Sequence, residues 1–553
     1  MADLDNGIDS FINPNKPSEP KPKFNWIIIL TPILIGVCSA IAYSIGAGQF
    51  RSEESIEKEE QISKINHVLD VIEEKYVDSI DREELIIASI SGMLHDLDPH
   101  SAYIPASRVE QANEQLQGHF GGVGVRFIIL RDTLMITNVI KDAPAYIAGV
   151  QSGDRVVKVD DKEIAGIGLK IEDVHDLLKG TFGSKVTLEV ERKGERRNQV
   201  IDVIRGLIPL PSIDASFMIT KDIGYIRLQS FSDKTSQEFA NATSNLRDLG
   251  MKKLIFDLRN NGGGYLGAAQ NVADEFLKSG NLVVYTEGLH SERKDYLATG
   301  RGNFENGDLL ILVNSGTASA SEIVAGAIQD NDRGLIMGRR TFGKGLVQQP
   351  IKLEDGSEMR LTVSRYYTPT GRCIQKPYGN GIDYQADIME RYENGELEHL
   401  DSTIFDELEQ FVTKKGKIVY GGGGIMPDFF IPIDTIGASA YYTNIMYSSA
   451  FRDYCFDYVD KRRSQLNFDG IRGFREVFEV SDEMYNDFIQ YVEDDKGIYK
   501  DEFGLSASGG RIRNALKAEM ATLLFNEEAR FYISYILDND ISKAIEKLEE
   551  ITD

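Results

Sequence analysis

Three glycine-rich segments hold the residues whose types and spacing can do chemistry. The first is VNSGTASASEIVAGAIQD, residues 313–330. An apolar strand runs into a glycine turn and then into a helix, with Ser319 or Ser321 at the helix start. A serine there is exposed at a sharp turn, and the free N–H groups of the first helical turn point toward it. Such N–H groups can stabilise an oxyanion. The second segment is GRRTFGKGLVQQP, residues 338–350, with Lys344 between two glycines and a strand predicted to follow. A lysine serves as general base for a serine only when it is neutral near pH 7, and burial lowers its pKa in that direction. Gln348, four residues on, projects on the same side as Lys344 and can orient its amine. The third segment is FDLRNNGGGYLGAA, residues 256–269, a strand ending in three glycines before a helix. Its glycines allow unusual backbone angles and close approach of a ligand to main-chain N–H groups.

Each segment also has a purely structural reading. Ser319-Ala320-Ser321-Glu322 fits the capping box, in which serine and glutamate satisfy the first amides of a helix. A lysine is ordinarily a solvated surface charge, and three glycines are ordinarily a tight turn. Gly338 to Lys344 also spells the phosphate-cradling pattern G-x-x-x-x-G-K. Gly345 stands where Ser or Thr would bind magnesium, however, and Pro350 follows too soon for the required helix. The seven histidines, His67, His95, His100, His119, His175, His290 and His399, all lie outside the three segments. A Ser-His-Asp arrangement would need one to arrive from elsewhere, whereas Ser-Lys needs none. No residue spacing suggests a metal centre or an organic cofactor.

The elements that must position these residues follow from periodicity. Across 206–435, apolar runs alternate with helical stretches. The runs are Gly224–Leu228, Lys253–Leu258, Leu282–Tyr285, Leu309–Val313 and Leu335–Met337, and such alternation predicts an α/β layer architecture. A hairpin is expected between Leu346 and Tyr367, with Asp355-Gly356 at its turn. Residues 117–205 read as a small β domain with a helix near Ile171–Leu178. Residues 52–116 read as helical, broken at Asp98-Pro99. Residues 440–553 carry amphipathic helical spacing, clearest from Arg511 to Asp540, and show no catalytic pattern. No internal repeat recurs at a fixed period.

The N-terminus predicts an anchor. Residues 1–23, with four prolines, read as a disordered cytoplasmic tail. From Phe24 to Phe50 there is no charge, and the apolar stretch within 24–48 exceeds the about 20 residues a membrane helix needs. It is also longer than the apolar region of a cleaved signal peptide. Lys16, Lys21 and Lys23 precede the span, which favours a single-pass topology with the bulk of the chain outside. In a bacterial cell this is the inner membrane, with the remainder facing the periplasm. The net charge of −26 argues against nucleic-acid partners. Only Cys38, Cys373 and Cys455 are present, so no disulfide framework sets the compartment.

The chemistry-bearing segments stand in an ordered series over roughly 60–435: LDPHSAYIP at 97–105, GVGV at 122–125, APAYIAGVQSGDRVVKVDD at 143–161, GYIRLQSFS at 224–232, DLRNNGGG at 257–264, GTASASE at 316–322 and TFGKGLVQ at 341–348. In that order they resemble the C-terminal processing peptidases, or tail-specific proteases, of the S41 class. The resemblance implies Ser319 as nucleophile, Lys344 as base and Gln348 as assistant, with the N–H groups of Gly264 and Ala320 as oxyanion hole. Gly262 departs from the family, which often has proline there. Residues 117–205 resemble a PDZ domain, in which Gly122, Val123, Gly124 and Val125 would capture a C-terminal carboxylate as an extended peptide adds to a sheet edge. The implied fold is α/β and α+β multidomain: a membrane helix, a helical region, the PDZ domain, a peptidase core over 206–435 and a helical C-terminal domain. The implied function is endopeptidase cleavage of envelope proteins recognised by their free C-termini, through an acyl-enzyme and without cofactor. A catalytically silent PDZ scaffold at the membrane is the alternative. An adaptor protein or a homo-oligomer would be compatible with either.

Overall fold

The computed structural model describes residues 31–32, 34–41, 53–379, 382–384, 386–399 and 408–550. The chain forms two compact units, 1–89 and 90–553. The expected tail 1–23 and most of the expected span 24–48 lie outside the described residues. Helical backbone occupies 31–32 and 34–41. Among the described residues no helix is long and apolar enough to cross a membrane. In the first unit the main element is the helix Glu53–Lys75.

The central element of the second unit is a six-stranded sheet. Its strands run in the order Ile213–Met218, Ile223–Leu228, Lys253–Asp257, Asp308–Val313, Leu335–Gly338 and Phe429–Phe430. All neighbours pair parallel except the first two. The central strands are apolar without interruption because both faces are covered. Side chains alternate between the faces with the strand period of two. Leu254, Phe256, Leu309, Ile311 and Val313 join the helices Thr235–Asp248, Leu266–Asp274 and Ala320–Asp330 in one core. Ile255, Leu310, Leu312 and Tyr225 face a second core built with Ile541, Ala544 and Leu548 of the C-terminal helix Asn539–Glu550. Each fully buried Leu, Ile or Phe contributes about 1.5–3 kcal/mol relative to exposure. The last helix, Asn539–Glu550, is therefore part of the sheet's own core, whereas the helices before it build a separate one.

A second, antiparallel sheet carries the expected hairpin. Strand Leu346–Lys352 pairs with Glu358–Tyr367, which also pairs with Leu282–Gly288 and with a short strand, Ala102–Ile104. Gly356 closes the hairpin loop at φ +86°. The region 52–116 is thus not wholly helical, because its LDPHSAYIP segment adds a strand to this sheet.

The β domain forms a five-strand path, Val125–Leu130, Thr133–Val139, Arg155–Val159, Lys185–Glu191 and Gln199–Ile204. Its helices are Pro144–Ala148 and Ile171–Leu178. The chain enters and leaves through a two-stranded stem, His119–Gly122 against Gly206–Pro209, which crosses the sequence boundary drawn at 205. The C-terminal region is helical, and 511–540 spans more than one helix. Helix Glu502–Leu524 ends, and Asn526 caps a new one, Glu527–Ser534, by accepting from the Ala529 N–H.

Candidate active site

Strands Lys253–Asp257 and Asp308–Val313 are parallel neighbours, with Asp257 opposite Leu312. Their C-terminal loops must therefore emerge side by side, where open α/β sheets bind ligands. The loops are stitched together. Asn260 N–H donates to Asn314 Oδ1 at 2.9 Å, Thr317 Oγ1 to Leu258 O at 2.8 Å and Ala318 N–H to Asn261 O at 2.9 Å. The lysine segment joins them, since Phe342 N–H donates to Thr317 O at 2.9 Å.

Gly262, Gly264, Ser319, Ala320, Lys344 and Gln348 line one cavity of about 280 Å³. A larger cavity of about 790 Å³, bordered by the C-terminal helices, contains none of them. Ser319 has φ +56°, in the region L-residues rarely adopt, and precedes helix Ala320–Asp330. Strained backbone of this kind persists only where its surroundings over-determine it. Gly263 is packed against the turn: a Cβ there would lie 2.8 Å from both Ser319 Cβ and Ala320 N. Ser321 is different. It is fully buried, and its hydroxyl donates to Asn261 O at 3.0 Å. Ser319 thus borders the cavity and Ser321 does not.

Among the described residues, the N–H groups of Gly264 and Ala320 donate no hydrogen bond, and both border the cavity. Gly264 has φ +145° and sits against Phe231 in a parallel bridge, between the bonds Phe231 N–H to Gly263 O and Tyr265 N–H to Phe231 O. Gly262 has open space around its Cβ position.

Glu322 organises the site in a way the sequence did not reveal. Its fully buried carboxylate accepts from Ser319 N–H at 2.8 Å, Lys344 N–H at 2.8 Å, Gly343 N–H at 2.7 Å and the Thr341 hydroxyl. One side chain thereby fastens the Ser319 turn to the lysine segment. The glutamate half of the capping box is present, and the Ser319 hydroxyl makes no cap bond. Burial pushes Glu322 up to about 7, against the four donors that favour its ionised form. Tyr366, also buried, places its hydroxyl on Ser319 O at 3.1 Å and on Lys344 O.

Burial is also the main influence on Lys344 and lowers its pKa. Asp98 and Glu322 pull the other way, and Arg360 adds to the lowering. Lys344 Nζ takes part in no hydrogen bond or ion pair among the described residues. Gln348 is not bonded to it; its Nε2 donates to Thr362 Oγ1 at 3.3 Å. Thr362 N–H donates to Ser101 Oγ at 3.1 Å, and Ser101 Oγ donates to Asp98 Oδ2 at 2.6 Å. The LDPHSAYIP segment thus braces the strand facing the lysine and supplies a carboxylate near it. Burial first, then Lys344, pushes His100 down to about 4.

In the β domain, strand Val125–Leu130 lies at the sheet edge beside helix Ile171–Leu178, with Phe127 edge-on to His175 at 5.8 Å. Among the described residues, the N–H groups of Val123 and Gly124 donate no hydrogen bond. Gly124 must be glycine, because a Cβ would lie 2.4 Å from that of Ala143 at φ +80°. Gly122 belongs to the stem and Val125 begins the edge strand. Cys373 and Cys455 are unpaired. Among the described residues no group of side chains could hold a metal ion.

The profile of peptidase family S41 matches residues 222–388, and that of the PDZ domain matches 135–192. Residues 42–107 match the N-terminal domain of the activating protease CtpB, and 441–526 match a family of unknown function. The chain is 35% identical over 333 residues to a carboxy-terminal-processing protease of Bartonella bacilliformis, covering 60% of this chain and 75% of that one. It is 30% identical over 325 residues to the carboxy-terminal processing protease CtpB of Bacillus subtilis, covering 58% and 67%. The solved photosystem II D1 C-terminal processing protease aligns at 30% identity with a TM-score of 0.33, covering 56% of this chain and 89% of that structure. The chain belongs to the carboxy-terminal processing proteases, serine-type peptidases of family S41, and it carries a PDZ domain.

Proposed function

We propose that the chain cleaves protein substrates with a Ser319–Lys344 dyad through an acyl-enzyme. Neutral Lys344 takes the proton of Ser319 Oγ as the oxygen attacks a peptide carbonyl. The N–H groups of Gly264 and Ala320 receive the oxyanion. The lysine ammonium then returns a proton to the leaving amine, and an ester joins Ser319 to the acyl fragment. Water, deprotonated by Lys344, releases it. Gln348, with Nε2 on Thr362, keeps Oε1 free to accept from the lysine amine and orient it.

The observation that carries this reading is the pair of unbonded N–H groups at Gly264 and Ala320, bordering the cavity that Ser319 and the desolvated Lys344 also line. Such preorganised donors are the largest single contribution in many acyl transfers. We assign tail recognition to the PDZ edge strand, with the Val123 and Gly124 N–H groups taking the terminal carboxylate. Single-pass anchoring through 24–48, with envelope substrates, rests on the uncharged apolar stretch alone.

The test incubates the full-length detergent-solubilised chain and its Ser319→Ala and Lys344→Ala variants with an unfolded protein bearing a free apolar C-terminus. Fragments identified by mass spectrometry are expected from the parent only. Full cleavage by either variant rejects the dyad. Release of the chain from washed membranes by salt alone rejects the anchor.

A further inference from the structure

The C-terminal region matches a family of unknown function over 441–526, and none of its residues borders the catalytic cavity. Its segment Glu527–Asp540 nevertheless touches both halves of the proposed machinery. Asp538 Oδ1 accepts from Arg259 Nη1 at 2.9 Å. Asp540 Oδ2 accepts from Arg259 Nη1 at 3.1 Å and from Arg339 Nη2 at 3.0 Å. Arg259 stands at the foot of the loop that ends in Gly264, and its guanidinium is also paired with Asp257 at 2.7 Å. Arg339 stands at the foot of the loop that carries Lys344. Asp540, 5% exposed, thus joins the bases of the oxyanion loop and the lysine loop.

The other end of the segment meets the PDZ domain. Glu527 is paired with Arg126, on the edge strand Val125–Leu130. That strand divides its side chains by strict alternation. Val125, Phe127 and Ile129 pack into the PDZ core, whereas Ile128 and Leu130 pack into the core of the C-terminal helices. Met135 on the next strand does the same, and Arg131–Asp457 at 3.0 Å and Lys193–Asp460 at 3.2 Å add ion pairs around this contact. Helix Glu527–Ser534 is a wedge between two cores. Ala529 and Ile533 belong to the core that receives Ile128, while Phe531 and Tyr532 pack against the second core of the peptidase sheet.

We propose that Glu527–Asp540 is a positioning strut: Asp538 and Asp540 set the two catalytic loops through Arg259 and Arg339, and the helix before them ties that setting to the tail-binding strand. The inference rests on the proposed tail recognition and oxyanion roles. When a tail adds to the edge strand, the strand it fixes is one whose other face is built into this wedge. Occupancy of the PDZ domain therefore reaches the acylation rate through packed side chains and ion pairs, without a contact between tail and loop.

The experiment uses the full-length chain and two peptide substrates that differ only in a free or an amidated C-terminus. Parent cleavage that depends on Ser319, and tighter binding of the free tail, establish the underlying reading first; their absence in the parent overturns both. Asp540→Asn is expected to lower kcat about 2- to 30-fold on both peptides, with KM and tail binding unchanged. Should Asp540→Asn fail to fold, Arg339→Lys, which keeps the charge and loses the fork, supplies the same readout. Glu527→Lys is expected to abolish the kcat advantage of the free tail, and the exchange Glu527→Lys with Arg126→Glu to restore it. A rise in KM alone in Asp540→Asn, or an unaltered free-tail advantage in Glu527→Lys, overturns the proposal.

Discussion

A single methyl group at Gly264 should disable catalysis while leaving the fold in place. A Cβ there would lie 2.0 Å from Phe231 O, 2.7 Å from Phe231 C and 3.0 Å from its Cα. All three are backbone atoms of a residue that is fully buried and held on both sides by main-chain hydrogen bonds, so no rotamer change relieves the clash. Ordinary contact begins at 3.4 Å, so the loop must move by about 1.4 Å. An oxyanion donor acts at about 2.7–3.1 Å, and a displacement of that size takes the Gly264 N–H out of range. Losing one such donor costs about 10²–10³ in kcat, equivalent to about 2.7–4 kcal/mol. The positive φ adds about 1–3 kcal/mol of strain to the folded state. The assay is peptide cleavage under saturating substrate, beside urea unfolding followed by far-ultraviolet dichroism. Gly262→Ala is the internal control. Its Cβ meets nothing within 4 Å, its φ lies outside the positive region, and it should stabilise the protein by about 0.4–1 kcal/mol with activity unchanged. A folded Gly264→Ala enzyme with kcat within threefold of the parent would refute the assignment of this amide.

Further outcomes follow from the same geometry. Glu322→Ala leaves the N–H groups of Ser319, Gly343 and Lys344 without their acceptor. At about 1–3 kcal/mol for each orphaned donor, urea unfolding should show a loss of at least about 3 kcal/mol, and a change under 0.5 contradicts the stapling role. Ser321→Ala should cost about 0.5–1.5 kcal/mol through the lost bond to Asn261 and keep full cleavage, whereas Ser319→Ala should be inert. Because burial lowers the Lys344 pKa, cleavage should rise with pH through a midpoint below 10.5, and a midpoint at or above 10.5 contradicts the neutral-base account. The sign for stability is the same. Between the folded pKa and the ordinary value, the unfolded chain binds the proton that the folded chain releases, so this group favours folding more as pH rises through that window.

The parts of this molecule legible in its sequence are those fixed by local pattern. Strand Lys253–Asp257 announced itself as an apolar run because both faces of the sheet are covered, and helix Ile171–Leu178 by its spacing. The turn glycines before Ser319 and after Asn261 were equally visible. What could not be read depends on distant segments meeting. Ser319 and Ser321 are alike as members of a helix start, and only the arrival of Asn261 O fixes Ser321 as structural. Glu322 fits a capping box from its neighbours alone, but its bonds to Thr341, Gly343 and Lys344 need a loop about twenty residues away in the chain. The strand Ala102–Ile104 is three residues long and exists through its partner Glu358–Tyr367. Amphipathic spacing marked the C-terminal helices but not the sheet face they cover, and the polar cap Asn526 was the available signal that 511–540 divides.

In the proposed reaction Ser319 carries the acyl group, with Lys344 as its base. The most direct measurement is intact and peptide-level mass spectrometry of the full-length chain, quenched during turnover of a peptide ester. An acyl adduct is expected on the peptide containing Ser319, absent from Ser319→Ala and strongly reduced in Lys344→Ala. Turnover by Ser319→Ala at the parent rate, or an adduct on any other residue, would contradict it.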